Sequence, residues 1–214
     1  MSTRSTSIRR RRKLEGQCSP SISRSWGRYH WGRLELRDSR RWCLKTVRIL
    51  FAGQLANIEL HPNKQAVQRR DIVGTVVAER GVWRRVLEDY GTRQVVFEIK
   101  NQLGLDVGVY RQVLSYLVDE YGNCGFIINR DETVDLTKGS TELQSTKEIY
   151  DKHEKLIVKL AVKFLTGLLA KARSPQRHNE ANSRLSKLLD TYVRLYMSGG
   201  GLARRKTRRT KAQV

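Results

Sequence analysis

Apolar residues recur at helical spacing through residues 44–52, Leu44-Lys45-Thr46-Val47-Arg48-Ile49-Leu50-Phe51-Ala52, and Gly53 stands where such a helix would end. Residues 55–60 alternate weakly and read as a strand, closed by the turn signal His61-Pro62-Asn63-Lys64. Residues 72–78 are rich in β-branched side chains and read as a second strand. A short helical pattern follows over 82–87 and ends near Tyr90-Gly91. Residues 95–99 form a third apolar run of strand length. Val109, Val113, Leu114 and Leu117 then mark a helix over 107–118, ending before Gly122, and 125–128 reads as a short buried strand. The main order predicted is helix, three strands, helix, strand: an α/β (α+β) chain.

Beyond this point the periodicity is helical. Leu143, Ile149, Leu156, Leu160, Phe164, Leu165, Leu168 and Leu169 carry it over 142–172, and Ser174-Pro175 breaks it. Leu185, Leu188, Leu189, Tyr192 and Tyr196 form one amphipathic stripe, stopped by Gly199-Gly200-Gly201. Both helices read as packing elements. The domain reading is a basic, disordered N-terminal arm (1–42), a core (43–135), a helical extension packed on it (136–198) and a basic tail (199–214).

Charge sharpens that division. The 214 residues carry a net charge of +21. Residues 1–48 hold 14 Lys/Arg against three acids, and 199–214 hold six against none. The body is nearly balanced, so the two ends are cationic. Such arms attract nucleic acid, because neutralising phosphates releases counterions; basic tails can also be merely solvated. The arm residues assigned to nucleic acid are Arg9, Arg10, Arg11, Arg12, Arg204, Arg205, Arg208 and Arg209, with Arg69 and Arg70 beside the core. Trp26, Tyr29, Trp31 and Trp42 interleave with arginines. They can stack on bases or cover an edge of the body.

Cys18, Cys43 and Cys124 fit no zinc spacing, and an odd count argues against a disulfide framework. No apolar run approaches membrane-spanning length. The expected setting is cytoplasmic, nucleoid-associated, with no membrane partner. The Arg- and Ser-rich start also suits an organelle transit peptide, a minority reading.

The candidate chemistry lies between Asp71 and Tyr116. Residues two apart on a strand share a face, so Glu98 and Lys100 point together while Phe97 and Ile99 point to the other side. Alone, that pair is as well explained by a solvated salt-bridged face. Asp71 heads the strand before it. Were the two strands neighbours, the carboxylates of Asp71 and Glu98 would converge on one divalent cation, for which oxygen ligands suit Mg²⁺ or Mn²⁺. Lys100 would stand beside a metal-bound water. Gln112 and Tyr116 lie one helical turn apart on the next helix, where they could hold a water or a phosphate oxygen, or be a surface glutamine and a core tyrosine.

In that order, Asp71, Glu98-Ile99-Lys100 and Gln112-x-x-x-Tyr116 resemble the PD-(D/E)xK nuclease superfamily, and the Gln-x-x-x-Tyr element is similar to its RecB-like branch. Gln68-Arg69-Arg70-Asp71-Ile72-Val73 and Phe97-Glu98-Ile99-Lys100-Asn101 also resemble uncharacterised bacterial members. The resemblance covers about residues 44–130. It implies a restriction endonuclease-like αβββαβ core with a mixed central sheet, Asp71 and Glu98 as metal ligands with the carbonyl of Ile99, Lys100 as the catalytic lysine, and Gln112 and Tyr116 as an accessory pair. The cofactor implied is Mg²⁺ or Mn²⁺. The acid such proteins often carry on their first helix is missing from 44–52, and Glu59 is the nearest candidate for it. No proline precedes Asp71, and three scattered cysteines cannot build an iron–sulfur cluster. Residues 131–198 match no functional motif and are left to cap the sheet or form a homodimer surface.

Three functions are compatible with these observations. The first is a Mg²⁺-dependent nuclease, with DNA the favoured substrate. The second is a non-catalytic nucleic-acid-binding protein of the same fold. The third is a basic assembly protein of another fold, which would leave Asp71 and Glu98 apart in space.

Overall fold

In the computed structural model, residues 36–62, 70–172, 174, 177 and 179–197 are described, and all belong to one compact unit, Glu35–Val214. The elements are α1 (Leu36–Leu50), β1 (Leu55–Leu60), β2 (Ile72–Val76), α2 (Gly81–Tyr90), β3 (Gln94–Lys100), α3 (Val107–Tyr116), β4 (Cys124–Asn129), α4 (Thr141–His153), β5 (Leu156–Ala161), α5 (Val162–Ala172) and α6 (Glu180–Thr191). A 3-10 turn at Asp119–Tyr121 precedes β4, and a π turn at Tyr192–Tyr196 extends α6. No described helix is long and apolar enough to cross a membrane.

The five strands form one mixed sheet in the order β1-β2-β3-β4-β5. The first three are antiparallel, and β3, β4 and β5 are parallel. Parallel neighbours need a crossover, which α3 and α4 supply. Both pack on the same face of the sheet, where Leu105, Val109, Tyr110, Val113, Leu117, Ile127, Ile149 and Ile157 share one cluster. The other face centres on Trp83. Its ring lies edge-on to Phe51 at 4.7 Å and to Phe126 at 5.5 Å, and Phe126 stacks on Phe97 at 5.3 Å. Edge-on and offset pairs suit aromatic quadrupoles and strengthen burial.

Two expectations are corrected. The first helix starts at Leu36, inside the stretch read as a disordered arm. Ser39, Cys43, Thr46, Val47 and Leu50 form its buried stripe. Two of those five positions are polar, so the arginines around them dominate the pattern. Arg48 then ties α1 to the sheet by donating to the carbonyl of Ile58 at 2.6 Å. The rest of the expected arm (1–35) and the basic tail (199–214) lie outside the described residues.

The second correction concerns 142–172, which is not continuously helical. Glu154 ends α4 in the left-handed region (φ 56°), and β5 follows. Every residue of β5 is buried. A strand covered on both faces loses its alternation, and an apolar run alone does not separate it from a helix. The extension over 136–198 therefore gives a strand to the sheet.

The outer edge of β5 is protected. The Tyr192 hydroxyl accepts from the Lys159 N–H at 3.1 Å and donates to the Val134 carbonyl at 3.2 Å. Tyr196 accepts from Leu136 N–H. Side chains covering unpaired strand groups remove a template for edge-to-edge pairing. Of the cysteines, Cys43 and Cys124 are free and buried, and burial pushes both thiols up. Cys18 lies outside the described residues.

Lys159 is the other polar feature of β5. Its side chain is 3% exposed and pairs with Asp131 at 3.0 Å and Glu142 at 2.7 Å. The same two carboxylates accept the backbone N–H groups of Gly104 and Leu105. One buried ammonium thus fastens the loop between β3 and α3 to β5 and α4. Removing it would leave two largely buried carboxylates uncompensated, so Lys159→Ala is expected to destabilise the protein by about 3–5 kcal/mol, measured by urea denaturation.

Candidate functional site

The site is set by the pairing of β2 with β3. Ile72 faces Phe97 and Val73 faces Val96 in the antiparallel ladder. One step further out, that register brings Asp71 opposite Glu98. The Ile99 N–H donates to Asp71 Oδ2 at 2.9 Å and closes the arrangement. Val73 and Val96 form a small cluster with Tyr116, so Glu98 and Lys100, two and four residues beyond Val96, lie on the face that α3 covers. Asp71 and Glu98 are each 3% exposed.

From Glu98 a continuous chain of polar contacts runs to α3. Lys100 Nζ pairs with Glu98 Oε1 at 2.8 Å and donates to Gln112 Oε1 at 2.8 Å. Gln112 Nε2 donates to the Tyr116 hydroxyl at 2.5 Å. A lysine only donates, so it turns the amide oxygen of Gln112 toward itself and the amide nitrogen toward Tyr116. The start of α3 is fixed by Asp106, whose carboxylate accepts from the Val109 N–H at 3.0 Å. Burial raises the Tyr116 phenol above its ordinary value, so it stays protonated. Lys100 is more enclosed than an exposed strand face would make it, with 23% of its side chain accessible.

Glu98 has an unusual proton affinity. Burial, and then the negative charge of Asp71, push its carboxyl up to about 7, against the opposing pull of Lys100 and Arg40. Its second oxygen, Oε2, has no hydrogen-bond partner among the described residues.

Two residues that the sequence pattern did not single out also reach Asp71. Arg40 Nε, from α1, lies 3.0 Å from Asp71 Oδ1. His61 Nδ1 lies 3.7 Å from the same oxygen, and the His61 N–H donates to the Asp71 carbonyl at 2.9 Å. The β1–β2 register explains His61: Leu60 faces Ile72, so the next residue meets Asp71. Glu59 faces Val73 and is exposed, so the β1-side contact on Asp71 is made by His61. Nothing in the sequence distinguishes Arg40 from the arginines around it. Arg70, assigned to nucleic acid from sequence, is 7% exposed, with its guanidinium 4.0 Å from the ring centre of Tyr121 and 5.4 Å from that of Tyr116. Arg9, Arg10, Arg11, Arg12, Arg69, Arg204, Arg205, Arg208 and Arg209 lie outside the described residues.

The donors suit a hard cation better than a soft one. No group of three His, Cys, Asp or Glu side chains fit for a metal occurs among the described residues. Two carboxylates, one with an unpartnered buried oxygen, match Mg²⁺, which is typically held by one or two carboxylates with waters and substrate phosphate.

The Glu98 shift has a testable sign. The folded state binds this proton more tightly than the unfolded chain, whose carboxyl titrates near 4.5. Its contribution to stability is therefore full below about pH 4.5 and is lost as pH rises through 7. Glu98→Gln keeps the neutral shape at every pH. In EDTA it is expected to melt above the unsubstituted protein at pH 8, by an amount corresponding to roughly 1–3 kcal/mol, and to converge with it near pH 5. Thermal denaturation across that range checks the sign.

Comparison with known proteins gives one relative. A protein of Escherichia coli (strain K12) named "Putative transposon gamma-delta 80.3 kDa protein" is 49% identical over 161 residues. The match takes in 75% of this chain and 23% of that protein, so the chain spans less than a quarter of its relative's length. No protein-family model matches the chain. No solved structure matches it either.

Proposed function

We propose that this protein is a divalent-metal-dependent nuclease of the PD-(D/E)xK type, a hydrolase of phosphodiester bonds that acts on DNA as an endonuclease. The observation that carries this reading is the meeting of five side chains from two strands and a helix. Asp71 and Glu98 lie side by side across β2 and β3, and Lys100, Gln112 and Tyr116 extend from Glu98 in an unbroken contact chain. A basic assembly protein of unrelated fold is expected to leave Asp71 and Glu98 apart, whereas here both are buried in one place, each beside a single cation, Arg40 or Lys100. The order α1-β1-β2-β3-α3-β4, with α2 inserted between β2 and β3, supports a restriction endonuclease-like core.

Asp71, Glu98 and the carbonyl of Ile99 would hold Mg²⁺ or Mn²⁺, which when bound acidifies a water and offsets the charge gathering on the phosphate. Lys100 has three N–H donors, two of them directed to Glu98 and Gln112. The third serves to orient the attacking water or a phosphate oxygen. Gln112 and Tyr116 hold that ammonium in place. Hydrolysis consumes one water and breaks one P–O bond, leaving a phosphate and a hydroxyl end. DNA is the favoured substrate on two grounds: the net charge of +21, and a relative whose name refers to a transposon.

The test is cleavage of supercoiled plasmid and of linear single strands with Mg²⁺, Mn²⁺ or EDTA. Metal-dependent cutting is expected, with a loss of at least about a hundredfold in Lys100→Ala. Binding without cutting under every metal would favour the non-catalytic alternative. Deleting residues 1–34, a boundary that spares α1, removes nine Lys/Arg. That deletion is expected to weaken DNA binding and flatten its salt dependence, measured by titration at several salt concentrations. An unchanged slope would remove the arm from the interface.

A further inference from the structure

Arg40 stands where a positive charge is needed when no metal is present. Its Nε lies 3.0 Å from Asp71 Oδ1, and the other oxygen, Oδ2, accepts the Ile99 N–H. Its charge also acts on Glu98. The side chain of Asp71 is 4% exposed and that of Arg40 is 36% exposed, with the Nε that faces Asp71 buried and the rest of the side chain reaching solvent. Arg40 is anchored by α1, and its long flexible stem lets the head withdraw without moving the helix. Lys100 is placed differently, held between Glu98 and Gln112.

We propose that Arg40 is a resident counter-cation, which occupies Asp71 while the site is empty and is displaced from it when a divalent cation binds. This rests on the metal site of the proposed function and adds a competition to it. A cation taking Asp71 Oδ1 meets a guanidinium already there, and two positive charges within a few ångströms repel. Metal affinity is therefore lower than the two carboxylates alone would give, and the empty site is protected from their mutual repulsion. Release of the guanidinium on loading frees a cation beside the site.

The full chain serves for the test, without nucleic acid. Mn²⁺ binding is measured by calorimetry at fixed pH for the unsubstituted protein, Arg40→Gln, Arg40→Lys and Asp71→Asn. Melting is followed in EDTA and at saturating Mn²⁺. Arg40→Gln is expected to bind Mn²⁺ about fivefold tighter, as loss of a half-exposed ion pair would allow. It is also expected to melt lower in EDTA and to recover in Mn²⁺, a recovery that a purely structural role would not produce. Arg40→Lys keeps the charge and should keep the melting temperature in EDTA, with an affinity between the two. Unchanged or weaker Mn²⁺ binding in Arg40→Gln, or an equal loss of melting temperature with and without metal, overturns the competition. Should Arg40→Gln not fold, an Arg40→Lys affinity equal to that of the unsubstituted protein overturns it. Mn²⁺ binding that Asp71→Asn abolishes would leave the nuclease reading standing in either case. Absence of any Asp71-dependent binding overturns both.

Discussion

Pairing of β2 with β3 in one particular register is the constraint on which the site depends. Side chains alternate across a strand, so a slip of one residue would turn Asp71 away from Glu98 and send Ile72 to the polar face. The register is held from two directions. Val73 of β2 and Val96 of β3 pack together beneath Tyr116 on the α3 side. At the end of the ladder the Ile99 N–H bonds to the carboxylate of Asp71 itself. The contact that aligns the two acids is thus made by one of them.

Charge on the α3 face is organised in two ways. Lys159 and Glu98 lie in the same row of the sheet, each facing Ile127 across a parallel ladder. Lys159 is closed: one ammonium between two carboxylates, both of which also accept backbone N–H groups. Such an arrangement rigidifies a loop, and with its side chain 3% exposed the ammonium is shut off from solvent. Glu98 is open. One oxygen pairs with Lys100, and the other lacks a partner among the described residues. Buried unpartnered oxygens are costly, and their retention points to a ligand or to a proton taken up in its place. The closed cluster holds the loop that leads from β3 into α3, and so helps to bring Gln112 and Tyr116 to the open one.

Much of the α/β order was legible because periodicity is local. The strand at Leu55–Leu60, the core of β2, β3 and β4 and the helix carrying Gln112 and Tyr116 follow from hydrophobic spacing and the turn residues that bound them. α1 was read too short because its stripe begins with Ser39 and is flanked by arginines. β5 was read as helix because burial on both faces removes the alternation, and because Glu154, with no glycine or proline beside it, makes the break.

By itself, the sequence determined which residue types were available in order: an acid before one strand, an acid and a lysine two apart on the next, a glutamine and a tyrosine one turn apart on a helix. Spacing within an element was enough to say that Glu98 shares a face with Lys100, and Gln112 with Tyr116, because those geometries repeat every two or about every four residues. Only the tertiary structure decided that Asp71 lies beside Glu98, that Arg40 and His61 share Asp71, and that Lys159 is buried between two acids. These meetings join residues that are distant along the chain. They depend on strand order, register and the path of α1, which are set by packing summed over the whole core and leave no local periodic trace.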